Sequence, residues 1–242
     1  MHIPKTAGST VRRYLEDVFE PEDVLFVYDQ GTLPDGPHVL PLEKVASLPP
    51  DQYFRYQVFY GHYPFRAEWM RYQDCRAMTF VRDPVARVIS WFHHMRSQSG
   101  AHATPRVAGY LSRIQDRGTG LPELWDEVGG IHEIDNGIVR YIAGGFDWPV
   151  GSMGDEQLQL AIDNVENHFD FVGHAGRFEE SMTRVAELLG RPYESRPREN
   201  ASPEGPAENH TDAYPQEFLE RLTSVDRAFV DWVDERFFRT RS

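Results

Sequence analysis

Lysine is nearly absent from this chain: Lys5 and Lys44 stand against 23 arginines in 242 residues. A lysine at any one loop position therefore carries more information than usual. Cysteine is scarcer still, with Cys75 alone; that excludes an internal disulfide framework and fits a reducing, cytoplasmic compartment. No apolar run approaches the ~18–20 residues of a membrane helix, and no signal peptide precedes the first motif, so no membrane span is expected in this chain. Positive charge is short overall, 25 Lys+Arg against 38 Asp+Glu, for a net charge of −13. Residues 101–242 carry most of the deficit, with 14 basic and 26 acidic side chains. Nucleic acid is excluded as a partner, because its affinity comes from neutralising phosphates. The same argument disfavours a densely sulfated polysaccharide, unless Arg66, Arg71, Arg76 and Arg96 form a local basic groove; a solvated surface is the simpler reading of those arginines. Metal signatures are missing too. Ten histidines are present, yet there is no H-E-x-x-H and no C-x-x-C, and adjacent His93 and His94 diverge on a helix. No catalytic metal is expected.

What is present begins at the amino end. His2-Ile3-Pro4-Lys5-Thr6-Ala7-Gly8-Ser9-Thr10 places a lysine, hydroxyls and a glycine where an extended segment turns into a helix near Ser9 or Thr10. Unpaired N–H groups at a helix start, backed by the positive end of its dipole, suit a phosphate-like anion. Gly8 allows close backbone approach, and Lys5, expected to be exposed, lays an ammonium against the anion. An ordinary capped helix start is the alternative. The spacing is wrong for G-x-x-x-x-G-K-[ST], because lysine precedes the glycine.

A second stretch, Met78 to Phe92, reads as a buried strand ending at Val81 and a helix starting at Pro84 behind an Asp83 N-cap. Arg82 stands at the strand's carboxyl end, where open α/β sheets bind ligands. Ser90, two turns into the helix, faces roughly the same side, and an arginine fork with a hydroxyl suits a second phosphate. The alternative is an Arg82–carboxylate pair and a Ser90 packing contact. Asp83 also resembles a magnesium carboxylate of a kinase, but capping explains it better.

Together, Pro4-Lys5-Thr6-Ala7-Gly8-Ser9-Thr10 and Arg82-Asp83-Pro84 with Ser90 resemble the sulfotransferases, specifically the carbohydrate type related to heparan and chondroitin sulfate sulfotransferases. Tyr60-Gly61-His62-Tyr63-Pro64-Phe65 resembles that family's histidine segment. Asp135 to Gly144 resembles its middle helix, and Phe169–Gly173 with Arg177–Ser181 its late strand and helix. The resemblance implies 3′-phosphoadenosine 5′-phosphosulfate (PAPS) as donor, held by Lys5, Thr6, Ala7, Gly8, Ser9 and Thr10 at the phosphosulfate. Arg82 and Ser90 then hold the 3′-phosphate, with Arg196 and Arg198 in a late segment closing over the nucleotide. It implies sulfuryl transfer to a hydroxyl of a carbohydrate or other acceptor, without a metal, with His62 and Lys5 as catalytic residues. A histidine near neutrality suits removal of the acceptor's proton, worth ~10²–10⁴, and the rate is expected to climb through His62 near ~6.5. His2, His93, His94 and His174 are weaker candidates, His93 and His94 reading as core or interface. A non-catalytic nucleotide-binding or structural descendant of the fold is the alternative.

The expected fold is α/β, a P-loop NTPase-like central parallel sheet flanked by helices. It is one domain over 1–242, with a helical insertion at about 98–150. Strands are expected at Val24–Tyr28, Val58–Tyr60, Ala77–Val81 and Phe169–Gly173. Helices are expected at about 9–19, 84–97, 105–116, 121–128, 135–143, 155–168, 178–189 and 215–237, and loops at 29–53, 98–104 and 195–212. Only Met1-His2-Ile3 precede Pro4, where the resemblance implies a buried strand.

Overall fold

The computed structural model describes residues 1–28, 39–41, 44–45, 47–49, 55–67, 76–97, 111–115, 118–195 and 214–239. Strands β1 (Val24–Tyr28), β2 (Val39–Pro41) and β3 (Val58–Gly61) form a parallel sheet in the order β2-β1-β3. Strands β4 (Ala77–Val81) and β5 (Phe169–His174) form a second parallel pair. Where one central sheet was expected, the described residues thus form two small ones. Residues 1–3 lie between them: the His2 N–H donates to the Gly61 carbonyl of β3 at 2.8 Å, and the Met1 nitrogen to the Met78 carbonyl of β4 at 3.4 Å. Parallel strands buried on both faces need apolar residues throughout, as in Val24-Leu25-Phe26-Val27.

The helices whose two ends are described are α1 (Gly8–Val18), α2 (Pro84–Ser97), α3 (Leu121–Val128), α4 (Gly137–Ala143), α5 (Asp155–His168), α6 (Phe178–Leu189) and α7 (Gln216–Phe237), and residues 111–115 are helical as well. Their ends have local causes. The Asp83 carboxylate accepts the Ala86 N–H at 2.8 Å and starts α2 with Pro84 at its first position. Left-handed Gly190 stops α6 as a C-cap.

Two larger cores result. One gathers Ile3, Leu15, Val81, Ile142, Val165, Val172, Met182 and Val233 around β4, β5, α1, α4, α5 and α6. The other is helical, with Ile89, Phe92, Ile114, Leu121, Leu124 and Ile134. Helix α7 joins them: Phe218, Leu219 and Leu222 pack in the helical core, Phe229, Val230 and Val233 in the first. A third, small cluster of Leu25, Val27, Val45 and Tyr63 backs β1. No helix among the described residues is long and apolar enough to cross a membrane.

Candidate active site

Between Ile3 and α1 the chain turns through residues that carry real backbone strain. Lys5 and Ala7 both have φ 72, left-handed on either side of Thr6, a conformation costing roughly 1–2 kcal/mol per residue with a Cβ. Such strain persists only where neighbours enforce it, and it concentrates at functional sites. The enforcing contacts are present. The buried Thr6 hydroxyl donates to the Ile3 carbonyl at 2.7 Å, and the Tyr60 hydroxyl of β3 donates to the Gly8 carbonyl at 2.6 Å. Left-handed residues alternating with ordinary ones turn successive N–H groups to one side, forming an anion-binding concavity. The N-terminus of α1 adds its dipole, and Ala7 at the N-cap supplies no side-chain acceptor to its first turn.

Strand ends bring the polar side chains to this loop. The β1–β3 register runs from Val24↔Val58 to Val27↔Gly61, and His62 is the next residue. Gly61 is required there, since a Cβ would meet the Val27 carbonyl oxygen at 1.6 Å. Arg82 follows the last residue of β4, with its Nη1 3.5 Å from the Lys5 carbonyl. Lys5 is half-buried rather than exposed. Burial, and then the Arg82 charge, push its ammonium down to about 8. Burial, then His94 and Lys5, push His62 down to about 4. His94 is likewise pushed down to about 4 by burial and then Lys5. The His2 ring lies 4.7 Å from that of His62, centroid to centroid, and is held well below its ordinary pKa by burial and by His62.

The structure therefore brings Lys5, His62, Arg82, His94 and His2 to one neighbourhood. His94 was read from the sequence as core or interface; it is half-buried and electrostatically coupled to Lys5 and His62. A sequence signal existed: His94 is four residues after Ser90 and so lies on the same helix face. Thr6 turns its hydroxyl proton inward to Ile3 rather than into the loop. The absent Cβ of Gly8 leaves room for the His2 ring, whose Nε2 is 1.5 Å from where that Cβ would sit. Ser9 is exposed and Thr10 half-buried on the first turn of α1; Ser90 is half-buried on α2. Arg196 and Arg198 lie outside the described residues.

The remaining candidates are dispersed. His174 accepts the Gly176 N–H at 2.9 Å and caps a short turn. Arg96 donates to the Ile114 carbonyl at 3.2 Å and to the Thr119 carbonyl in the helical core, while Arg76 reaches the Leu188 carbonyl at 3.5 Å. Arg66 is half-buried, and Arg71 lies outside the described residues. Among the described residues no group of three or more His, Cys, Asp or Glu side chains is arranged to hold a metal ion.

Fold and site together define an α/β protein with a cation-flanked loop ahead of its first helix and histidines at the adjoining strand end. The family model described as the Sulfotransferase family matches residues 1–239, and the chain belongs to that family. It is a sulfotransferase. No curated protein matches the chain.

Proposed function

We propose that this protein transfers a sulfuryl group from PAPS to a hydroxyl of an acceptor, a carbohydrate, by in-line displacement with His62 as general base. The observation that carries this reading is the coupling of Lys5, in a strained loop at a helix N-terminus, to His62 at the end of β3. In the reaction the acceptor oxygen bonds to sulfur as the bond from sulfur to the 5′-phosphate oxygen breaks. The hydroxyl proton passes to His62, and a sulfate ester and adenosine 3′,5′-bisphosphate are released. Lys5 and the N–H groups of the loop stabilise charge on the sulfuryl and leaving oxygens, the term that usually dominates such catalysis. Ser9 and Thr10 belong to the same phosphosulfate grip, with Thr6, Ala7 and Gly8 shaping the loop. Arg82 and Ser90 take the 3′-phosphate, and Arg196 and Arg198 close over the nucleotide.

The carbohydrate acceptor rests on the likeness of the loop and the Arg82–Ser90 stretch to carbohydrate-type members. The same reading makes residues 1–242 one domain with a P-loop NTPase-like arrangement, supported by the parallel strands and by residues 1–3 bridging β3 and β4. The helical core supports an insertion at about 98–150. A cytoplasmic location is supported by the single cysteine.

Ligand-induced stabilisation tests the donor. Adenosine 3′,5′-bisphosphate should raise the Tm and ATP with magnesium should not, because a ligand that binds only the native state stabilises it. Arg82→Ala should weaken the bisphosphate by roughly 1.5–3 kcal/mol, the loss of a charge-assisted contact, and 5′-AMP far less. Equal losses in calorimetry would remove the 3′-phosphate assignment. An acceptor screen with labelled donor then tests the transfer itself.

A further inference from the structure

His62 sits in a short stretch of chain that is pinned at both ends. At the front, Gly61 closes β3 against Val27. At the back, the Phe65 N–H donates to the Tyr141 carbonyl of α4 at 2.7 Å. The approach there is close, since a Cβ on Gly144 would sit 3.2 Å from the Phe65 carbonyl oxygen. The Phe65 ring is 5% exposed and belongs to the core around β4 and β5. It lies 5.4 Å from the ring of His168, the last residue of α5, and 5.0 Å from that of Phe169, the first of β5. Between the two ends the burial alternates: Gly61, Tyr63 and Phe65 are buried, His62 and Pro64 half-buried. An extended chain turns successive side chains to opposite faces, so the residues that anchor the stretch point one way and His62 the other. Pro64 stiffens it by fixing its own φ, and the Tyr63 hydroxyl ties it back to the Phe59 carbonyl at 3.2 Å.

We infer that Phe65 is a positioning residue for His62: its buried ring at the α5–β5 junction and its backbone bond to α4 hold the stretch so that His62 is presented to the Lys5 loop. The inference rests on the reading of His62 as the base. Among the described residues, the titratable groups that face His62 are His94 of α2, Lys5 of the loop and His2, whose ring is 4.7 Å away. Phe65 carries no charge, so its loss acts on His62 through burial, the largest cause of the drop to about 4.

Proton NMR of the histidine rings reads the titration of His62 with neither donor nor acceptor present, its signal being the one lost in His62→Gln. Wild-type His62 should titrate at about 4. Phe65→Ala should move it up toward ~6.5, because a released stretch admits water. Phe65→Leu, which keeps part of the fill, should move it less. Phe218→Leu makes the same exchange in the helical core; it should lower the Tm as well, yet leave His62 at about 4. In Phe65→Ala kcat should fall roughly 10–100-fold, the cost of a misplacement near 1 Å. The acid limb of kcat/KM should rise in step with the NMR titration, and the Kd for adenosine 3′,5′-bisphosphate should stay close to wild type. If Phe65→Ala does not fold, the contrast between Phe65→Leu and Phe218→Leu carries the test. His62 at about 4 in every folded Phe65 variant, or an equal rise in Phe218→Leu, overturns the inference. An acid limb that survives in His62→Ala would instead overturn the reading of His62 as the base and leave the NMR result standing.

Discussion

Lys5 and His62 titrate on opposite sides of neutrality, and that decides how the site responds to pH. Lys5, at about 8, keeps most of its charge at pH 7, and a bound dianion offsets the Arg82 repulsion and moves it back toward its ordinary value. His62, at about 4, is neutral at pH 7 and free of a proton, as a base must be. The ~6.5 expected for an ordinary histidine is thus displaced by burial, then by His94 and Lys5. We expect kcat/KM, which reports the free enzyme, to follow a bell. It should rise with pH through about 4 as His62 deprotonates and fall through about 8 as Lys5 does. His62→Ala should lose the acid limb and ~10² or more in rate. Lys5→Arg, whose charge persists at high pH, should lose the alkaline limb. A wild-type acid limb that survives in His62→Ala would assign the base elsewhere.

At the scale of elements, the segment from Asp135 to Gly144 works as a clamp on α7. Left-handed Asn136 accepts the Val225 and Asp226 N–H groups at its Oδ1, at 2.9 and 3.1 Å, and donates its own N–H to the Leu222 carbonyl at 2.7 Å. Asp226 returns the contact, accepting the Ile138 and Val139 N–H groups at 3.1 and 2.8 Å at the start of α4. Arg87 of α2 lies 3.8 Å from the same carboxylate, both side chains fully buried. Gly137 leaves room for that guanidinium, because a Cβ would meet Arg87 Nη2 at 2.6 Å. Asp226→Ala strands a buried cation and two helix-start N–H groups, so a loss of ~3–5 kcal/mol is expected in urea unfolding. A loss of about 1 kcal/mol or less, the size of an ordinary substitution, would show that the clamp does not hold the two cores together. The strained loop gives the opposite sign. Ala7→Gly removes a left-handed Cβ and should stabilise by about 0.5–1 kcal/mol, after glycine's extra entropy cost. Unchanged or lower stability would show that Ala7 is not strained.

Over the whole molecule, His2, His62 and His94 are all held below their ordinary pKa, chiefly by burial. Their native forms are neutral, so the unfolded chain takes up protons first as the pH falls from ~6.5. The stability they contribute is present above that value and is lost as pH falls through about 4. Urea unfolding at a series of pH values should therefore show a fall between these limits. His62→Gln/His94→Gln should flatten it, and an unaltered slope would mean that these rings are already protonated in the native protein.

Features that rest on local chemistry could be read from the residues alone. Helices at 84–97, 121–128, 155–168 and 178–189 coincide with those expected, because caps such as Asp83 and Gly190 and an apolar face act within a few residues. The loop around Lys5 and the strand-end arginine were legible for the same reason. Strand β2 was not, since three residues in a Pro- and Gly-rich stretch show no alternation, and their pairing with β1 is a long-range one. Helix α4 starts at Gly137 rather than 135 because Asp135 and Asn136 are spent on long-range hydrogen bonds. The division into two sheets, the drop of His62 to about 4 and the arrival of His94 and His2 beside Lys5 were decided only by tertiary structure. Burial and electrostatic coupling depend on what packs from distant parts of the chain, and no local pattern encodes that.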